Sequence, residues 1–129
     1  MEALQDFRQQ YGDLHDAMIW SICYRYSRSN YKRVLEMEVE CHQIEGDGPY
    51  PWQSIKLYFV GVNEFMFFEK LNTTNQIIFA ANYLFQDGCY YFDFDYATED
   101  VLNVTQMRET STFHLTCKEF AFEVINTIS

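Results

Sequence analysis

A chain of 129 residues that is 48% hydrophobic and 19% aromatic buries too much apolar surface to be disordered, and its length fits a single domain over residues 1–129. Its formal net charge is -10. Nine basic residues against nineteen acidic ones are poor material for phosphate backbones or anionic lipid, so neither nucleic acid nor membrane is the expected partner.

The first element predicted is a short helix. Leu4, Phe7 and Tyr11 recur at spacings of three and four, and Gly12 suits the position just past its end. The segment has no apolar stretch of the kind that directs secretion, so a cytoplasmic protein is expected. Cys23, Cys41, Cys89 and Cys117 form no CxxC pair and read as reduced thiols at mostly inward positions. The sequons at Asn72 and Asn103 then carry no meaning.

After Gly12 the apolar period changes to two. Met18, Trp20, Ile22, Tyr24 and Tyr26 alternate with smaller or more polar residues. Further on, Leu35, Met37, Val39 and Cys41 alternate with Glu36, Glu38, Glu40 and His42. A two-residue loop at Ser29 and Asn30 pairs the two strands as Tyr24 with Leu35, Ile22 with Met37, Trp20 with Val39 and Met18 with Cys41. A slip of one residue would set that apolar face against glutamates, so the register is specified by burial.

Ile55, Leu57 and Phe59 predict a further inward-facing strand, with a bulge or bend at Gly61 and another strand over Phe65 to Phe68. A turn is expected from Leu71 to Asn75. Asp87-Gly88 signals a tight hairpin, which pairs Phe85 with Tyr90, Tyr83 with Phe92, Ala81 with Phe94 and Phe79 with Tyr96. Asp93 and Asp95 then fall on a wet outer face. The C-terminal part continues through "VLNVTQM", then Phe113, Leu115 and Cys117 inward, then Phe120, Phe122 and Val124 inward. The whole reads as mainly β (α+β by strict count): an antiparallel meander of about eight strands in a sandwich or open barrel, with one short N-terminal helix.

Three groups of residues bear on function. In the expected register His15 lies opposite Ile44, diagonal to His42 and on the face of Glu40, so His15, His42 and Glu40 form a candidate metal set. The plainer reading is a strand-entry histidine bonded to backbone, with Asp16 bonding its own local backbone. Glu36, Glu38 and Glu40 stand in a row on one face. Acid–base catalysis needs carboxylates opposed across a substrate, with pKa values driven apart, so this row reads instead as a solvated surface. The loop "QIEGDGPYPW" carries Glu45, Asp47, Tyr50 and Trp52, whose acids and amphipathic rings suit protein binding; Trp52 could equally cap one end of the core. There is no GxSxG and no phosphate-binding glycine loop. The residues therefore predict no catalysis and no cofactor.

Leu14-His15-Asp16-Ala17 with Ile19 and Ile22, then "VLEMEVE", then "IKLYFVGVNEF", resembles small bacterial immunity-like proteins of polymorphic or contact-dependent toxin systems. The matching positions are His15, Asp16, Phe59, Gly61 and Val62, and the likeness covers roughly residues 14–62. It implies a cytoplasmic, non-enzymatic protein that binds and blocks a cognate toxin. Such toxins are often basic nucleases, to which a charge of -10 is complementary. The expected mode is binding of a basic protein through Glu36, Glu38, Glu40, Glu45, Asp47, Tyr50 and Trp52. The competing expectations are a β-barrel with an aromatic pocket for a small apolar ligand, and a metal-dependent enzyme using His15, His42 and Glu40. A homodimer through an exposed strand edge is compatible with each.

Overall fold

The computed structural model describes residues 2–44, 51–70, 75–95 and 101–128. Glu45, Asp47 and Tyr50 of the expected binding loop lie outside them, as do Tyr96 and most of the turn expected from Leu71. Helix α1 runs Glu2–Tyr11. Leu4, Phe7 and Tyr11 are its buried stripe, and Gly12 ends it in the left-handed conformation, at φ 58°, with its amide on the Arg8 carbonyl.

Strands β1 (Ala17–Tyr26), β2 (Arg33–His42) and β3 (Trp52–Val60) form an antiparallel meander. The C-terminal strand β9 (Glu119–Ile128) joins it beside β3, and the two-residue β5 (Ile77–Ile78) joins it beside β1, giving the order β5-β1-β2-β3-β9. A second antiparallel sheet has the order β4-β8-β7-β6, from β4 (Glu64–Phe67), β8 (Phe113–Cys117), β7 (Cys89–Asp93) and β6 (Asn82–Gln86). The sheets face each other and do not close into a barrel. Phe59 of the first and Phe92 of the second meet edge to face at 4.9 Å, and Phe120 of β9 lies 4.9 Å from Phe92. Helix α1 bridges one open side: Phe7 sits 5.4 Å from Phe120 of β9 and 5.6 Å from Tyr83 of β6. The fold is thus mainly β and antiparallel, as expected, with nine strands among the described residues.

The alternation of the sequence holds best near the turns. Tyr24 pairs with Leu35 and Ile22 with Met37, and Phe85 with Tyr90 and Tyr83 with Phe92, as predicted. Asp87 and Gly88 both take positive φ, as a two-residue hairpin turn requires. The other hairpin turns through a longer loop. Ser27 donates to the Lys32 carbonyl and Tyr31 adopts φ 60°, so residues 28–31 make the loop rather than Ser29 and Asn30 alone.

Five further expectations are corrected. First, a bulge in β1 makes Trp20 the extra residue, so Ile19 pairs with Val39 and Met18 with Glu40. The bulge buries Ala17 and Ile19 and turns Trp20 outward, 57% exposed. Second, β6 begins at Asn82: the Ala81 amide donates to Asp13 and the Phe94 amide to Phe113, so the Ala81–Phe94 pair does not form, and Phe79 is exposed. Third, Asp93 is buried. It accepts from the Ser111 hydroxyl at 2.7 Å and from the Asp95 amide at 3.0 Å. Burial raises its pKa and those hydrogen bonds partly offset the rise. Fourth, Val124 is 47% exposed although it pairs with buried Ile55, in phase with Phe120 and Phe122, on the edge strand β9. Cys23 likewise faces solvent while Cys41 and Cys117 are buried.

Fifth, "VLNVTQM" contains the start of a second helix, α2 (Val104–Thr110). Asn103 caps it by accepting from the Gln106 amide at 3.0 Å, and Leu102 and Met107, both buried, occupy the staple positions. Asn103→Ala is expected to cost about 1 kcal/mol in urea denaturation, the usual loss on removing such a cap.

Candidate partner-binding face

Alternation along β2 turns Leu35, Met37, Val39 and Cys41 into the core and Glu36, Glu38, Glu40 and His42 away from it. The pairing carries that outer face across the sheet. Ser21, Glu38, Lys56 and Glu123 form one cross-strand row, and Cys23, Glu36, Tyr58 and Ala121 the next. Glu36 is held by Arg25 at 3.2 Å and Lys56 at 3.5 Å. Glu38 accepts from the Ser54 hydroxyl at 3.4 Å, and Glu40 accepts from the Trp20 indole at 3.2 Å. Tyr58 donates to Glu123 at 2.6 Å. That hydrogen bond, then desolvation, pushes the phenol up to about 12. All these contacts are solvent-accessible, so each adds little stability. What they do is hold carboxylates and two amphipathic rings in place on an open sheet.

Trp52 opens β3, half-buried, opposite His42, with ring centroids 3.7 Å apart. The two rings, tilted by 41°, are therefore on the same outer face, one row beyond Glu40. Of the expected binding residues, Glu36, Glu38, Glu40 and Trp52 share this face. The sequence reading missed Trp20, Tyr58 and Glu123. The signal for Tyr58 was available, since it alternates with Leu57 and Phe59.

The candidate metal set only partly converges. His15 and His42 line one open pocket of about 310 Å³ with Tyr11, Asp13, Asp16 and Ile44, but Glu40 is engaged with Trp20 instead. Among the described residues, no group of three or more His, Cys, Asp or Glu side chains could hold a metal ion. The His15 Nδ1 lies 2.6 Å from the Phe79 carbonyl, which can only accept, so that nitrogen carries a proton. Asp13 accepts from the His15 amide at 3.0 Å, and Asp16 lies 3.4 Å from Nε2. Gly12, Leu14 and Asp16 all adopt positive φ, which lets the chain reverse from α1 into β1 within a few residues. His15 and Asp16 thus build the helix-to-strand joint. Tyr83 ties the same joint down by donating to the Gly12 carbonyl.

The third histidine, His114, is buried in β8 with Nδ1 3.2 Å from the Ser111 carbonyl. No helix among the described residues is long and apolar enough to cross a membrane. No family model, no curated protein and no solved structure matches the chain. The functional reading therefore rests on the residues themselves.

Proposed function

We propose that the protein acts without catalysis or cofactor, by binding a basic protein partner through the outer face of the five-stranded sheet. One observation carries this reading: Glu36, Glu38 and Glu40 stand in a row on an open face, and Trp20 and Trp52 lie beside that row. Carboxylates in such a row raise the association rate of a cationic partner and select against an acidic one. Aromatic rings next to them supply the buried anchor that charge alone does not. In the form suggested by the likeness over residues 14–62, the partner is a basic toxin domain, and the protein is a cytoplasmic immunity protein that neutralises it.

The competing expectations draw less support. The rings that would line an apolar pocket pack on one another instead, as with Phe59, Phe92 and Phe120. His15, His42 and Glu40 do not gather at one point.

Affinity capture from lysate of the source cells tests the proposal, with wild type and a Glu38→Gln/Glu40→Gln double variant as baits at low and high salt. A basic protein held by wild type at low salt, and lost in the variant and at high salt, is the expected result. Capture that ignores both salt and the substitutions would show that the acidic face is not the binding surface.

A further inference from the structure

We propose that β1 uses the free edge from Ser21 to Tyr26 to add an extended basic strand of the partner to the five-stranded sheet. This rests on the binding reading above and supplies its mode. Strand β5 pairs only with Ala17 and Met18, and the last edge contact is the Ile19 amide on the Gln76 carbonyl. Beyond it, among the described residues, the sheet order places nothing along that side of β1. The bulge ends at Ser21, so the ladder from there to Tyr26 is regular and its outward amides and carbonyls have the spacing of a template.

The usual defences of an edge strand are sparse here. From Ser21 to Tyr26 there is no proline, and the single charge, Arg25, is already held by Glu36. A groove of about 340 Å³ runs beside the edge, between Ile19, Trp20 and Ile22 on one wall and Phe67, Glu69 and Gln76 on the other. Tyr24 stacks on Phe65 of β4 at 5.5 Å and closes the space further along.

These surroundings define the added strand. Its core-side residues meet Ile22 and Phe67 and must be apolar. Its outward residues lie beside Ser21 and Cys23, which are small, and behind Ser21 stands Glu38 of β2, while Arg25, next on that row, is neutralised by Glu36. Two strand spacings separate such a strand from β2, about 10 Å, a gap that a long cation and a glutamate close by leaning toward each other. Glu69 on the far wall adds a further carboxylate. An alternating apolar–basic segment satisfies both faces. A second copy of this chain fits poorly, since it carries a net charge of -10 and its own β1 offers only the occupied Arg25. Recognition of this kind draws affinity from main-chain hydrogen bonds and specificity from alternate side chains.

Labelled ten-residue peptides that alternate valine with arginine provide the test, read by fluorescence anisotropy and by amide hydrogen exchange of the full chain. The parent peptide is expected to bind and to slow exchange in residues 21–26. Methylating its alternate backbone amides should weaken binding at least tenfold, and replacing arginine by glutamate should abolish it. Cys23→Arg, at an exposed position, should also weaken the parent peptide about tenfold. If the methylated peptide binds as well as the parent while the glutamate peptide fails, strand addition is overturned and the acidic face alone survives. If the parent peptide fails to bind, or binds no better than the glutamate peptide, strand addition is likewise overturned. A dimer in sedimentation that Cys23→Arg dissolves would assign the edge to a second copy and overturn the proposal as well.

Discussion

Phe92→Ala lowers the free energy of unfolding by about 3–5 kcal/mol, the range for removing a fully buried aromatic ring. Phe92 is the central ring of the core. It touches Phe59 and Phe120 of the first sheet and Tyr83, Tyr90 and Phe94 of its own. Its loss therefore opens a cavity between two sheets that cannot close without moving both. Domains of this size are stable by roughly 5–15 kcal/mol, so the loss is a large fraction of the total. Urea denaturation of this variant, with Phe79→Ala as the exposed control, checks the expectation. A loss below about 1 kcal/mol for Phe92→Ala, or equal losses for the two, would mean that the sheets are not packed through this ring.

Raising the pH above about 9 destabilises the fold steeply. Burial pushes the thiols of Cys41 and Cys117 from 9.0 up to about 12. Burial likewise pushes Tyr11 from 10.0 up to about 12 and raises Tyr83. All four stay neutral in the folded protein where they would ionise in the unfolded chain. The unfolded chain therefore loses protons first, and stability falls as pH rises. Their contribution is fully present below about pH 9 and is lost progressively up to about 12, the folded value of the thiols. Every tenfold change in an acid dissociation constant corresponds to about 1.4 kcal/mol, so the two thiols together cost several kcal/mol across the window. Urea midpoints measured from pH 8 to 11 should fall continuously. Replacing both thiols by alanine should flatten the slope, whatever it does to stability at neutral pH. A midpoint independent of pH over that range would show that these groups are not buried as neutral acids.

Local chemistry explains which parts of the fold were readable in advance. The hairpin at Asp87-Gly88 was legible because two residues that tolerate positive φ stand between alternating strands. The face of β2 was legible because four carboxylate or imidazole residues alternate with four apolar ones. The bulge in β1 was not. Met18, Ile19, Trp20 and Ile22 are all apolar, so the sequence offers two competing inward sets, and burial of Ile19 against the core decides between them. Helix α2 hid behind β-branched valines and threonine, although the Asn103 cap and the Leu102/Met107 staple announce it once helix ends are sought. The burial of Asp93 depends on Ser111, eighteen residues away, and no local pattern carries that.

The candidate face divides in the same way. Glu36, Glu38 and Glu40 follow from period two within one strand. Trp20 reaches Glu40 only because of the bulge, and Glu123 reaches Tyr58 only because β9 returns from the C-terminus to lie beside β3. His15 and His42 line one pocket, but from the helix-to-strand joint and the end of β2 rather than as the diagonal strand neighbours expected, and Glu40 is drawn to the Trp20 indole.

An acidic sheet face that selects and steers a basic protein acts first on the rate of association. Association kinetics with the captured partner test it most directly, with wild type and the Glu38→Gln/Glu40→Gln variant compared from about 50 to 500 mM salt. The association rate of wild type is expected to fall at least tenfold with salt, and that of the variant to start lower and to depend less steeply on salt. Identical rates for the two proteins at every salt concentration would contradict such steering.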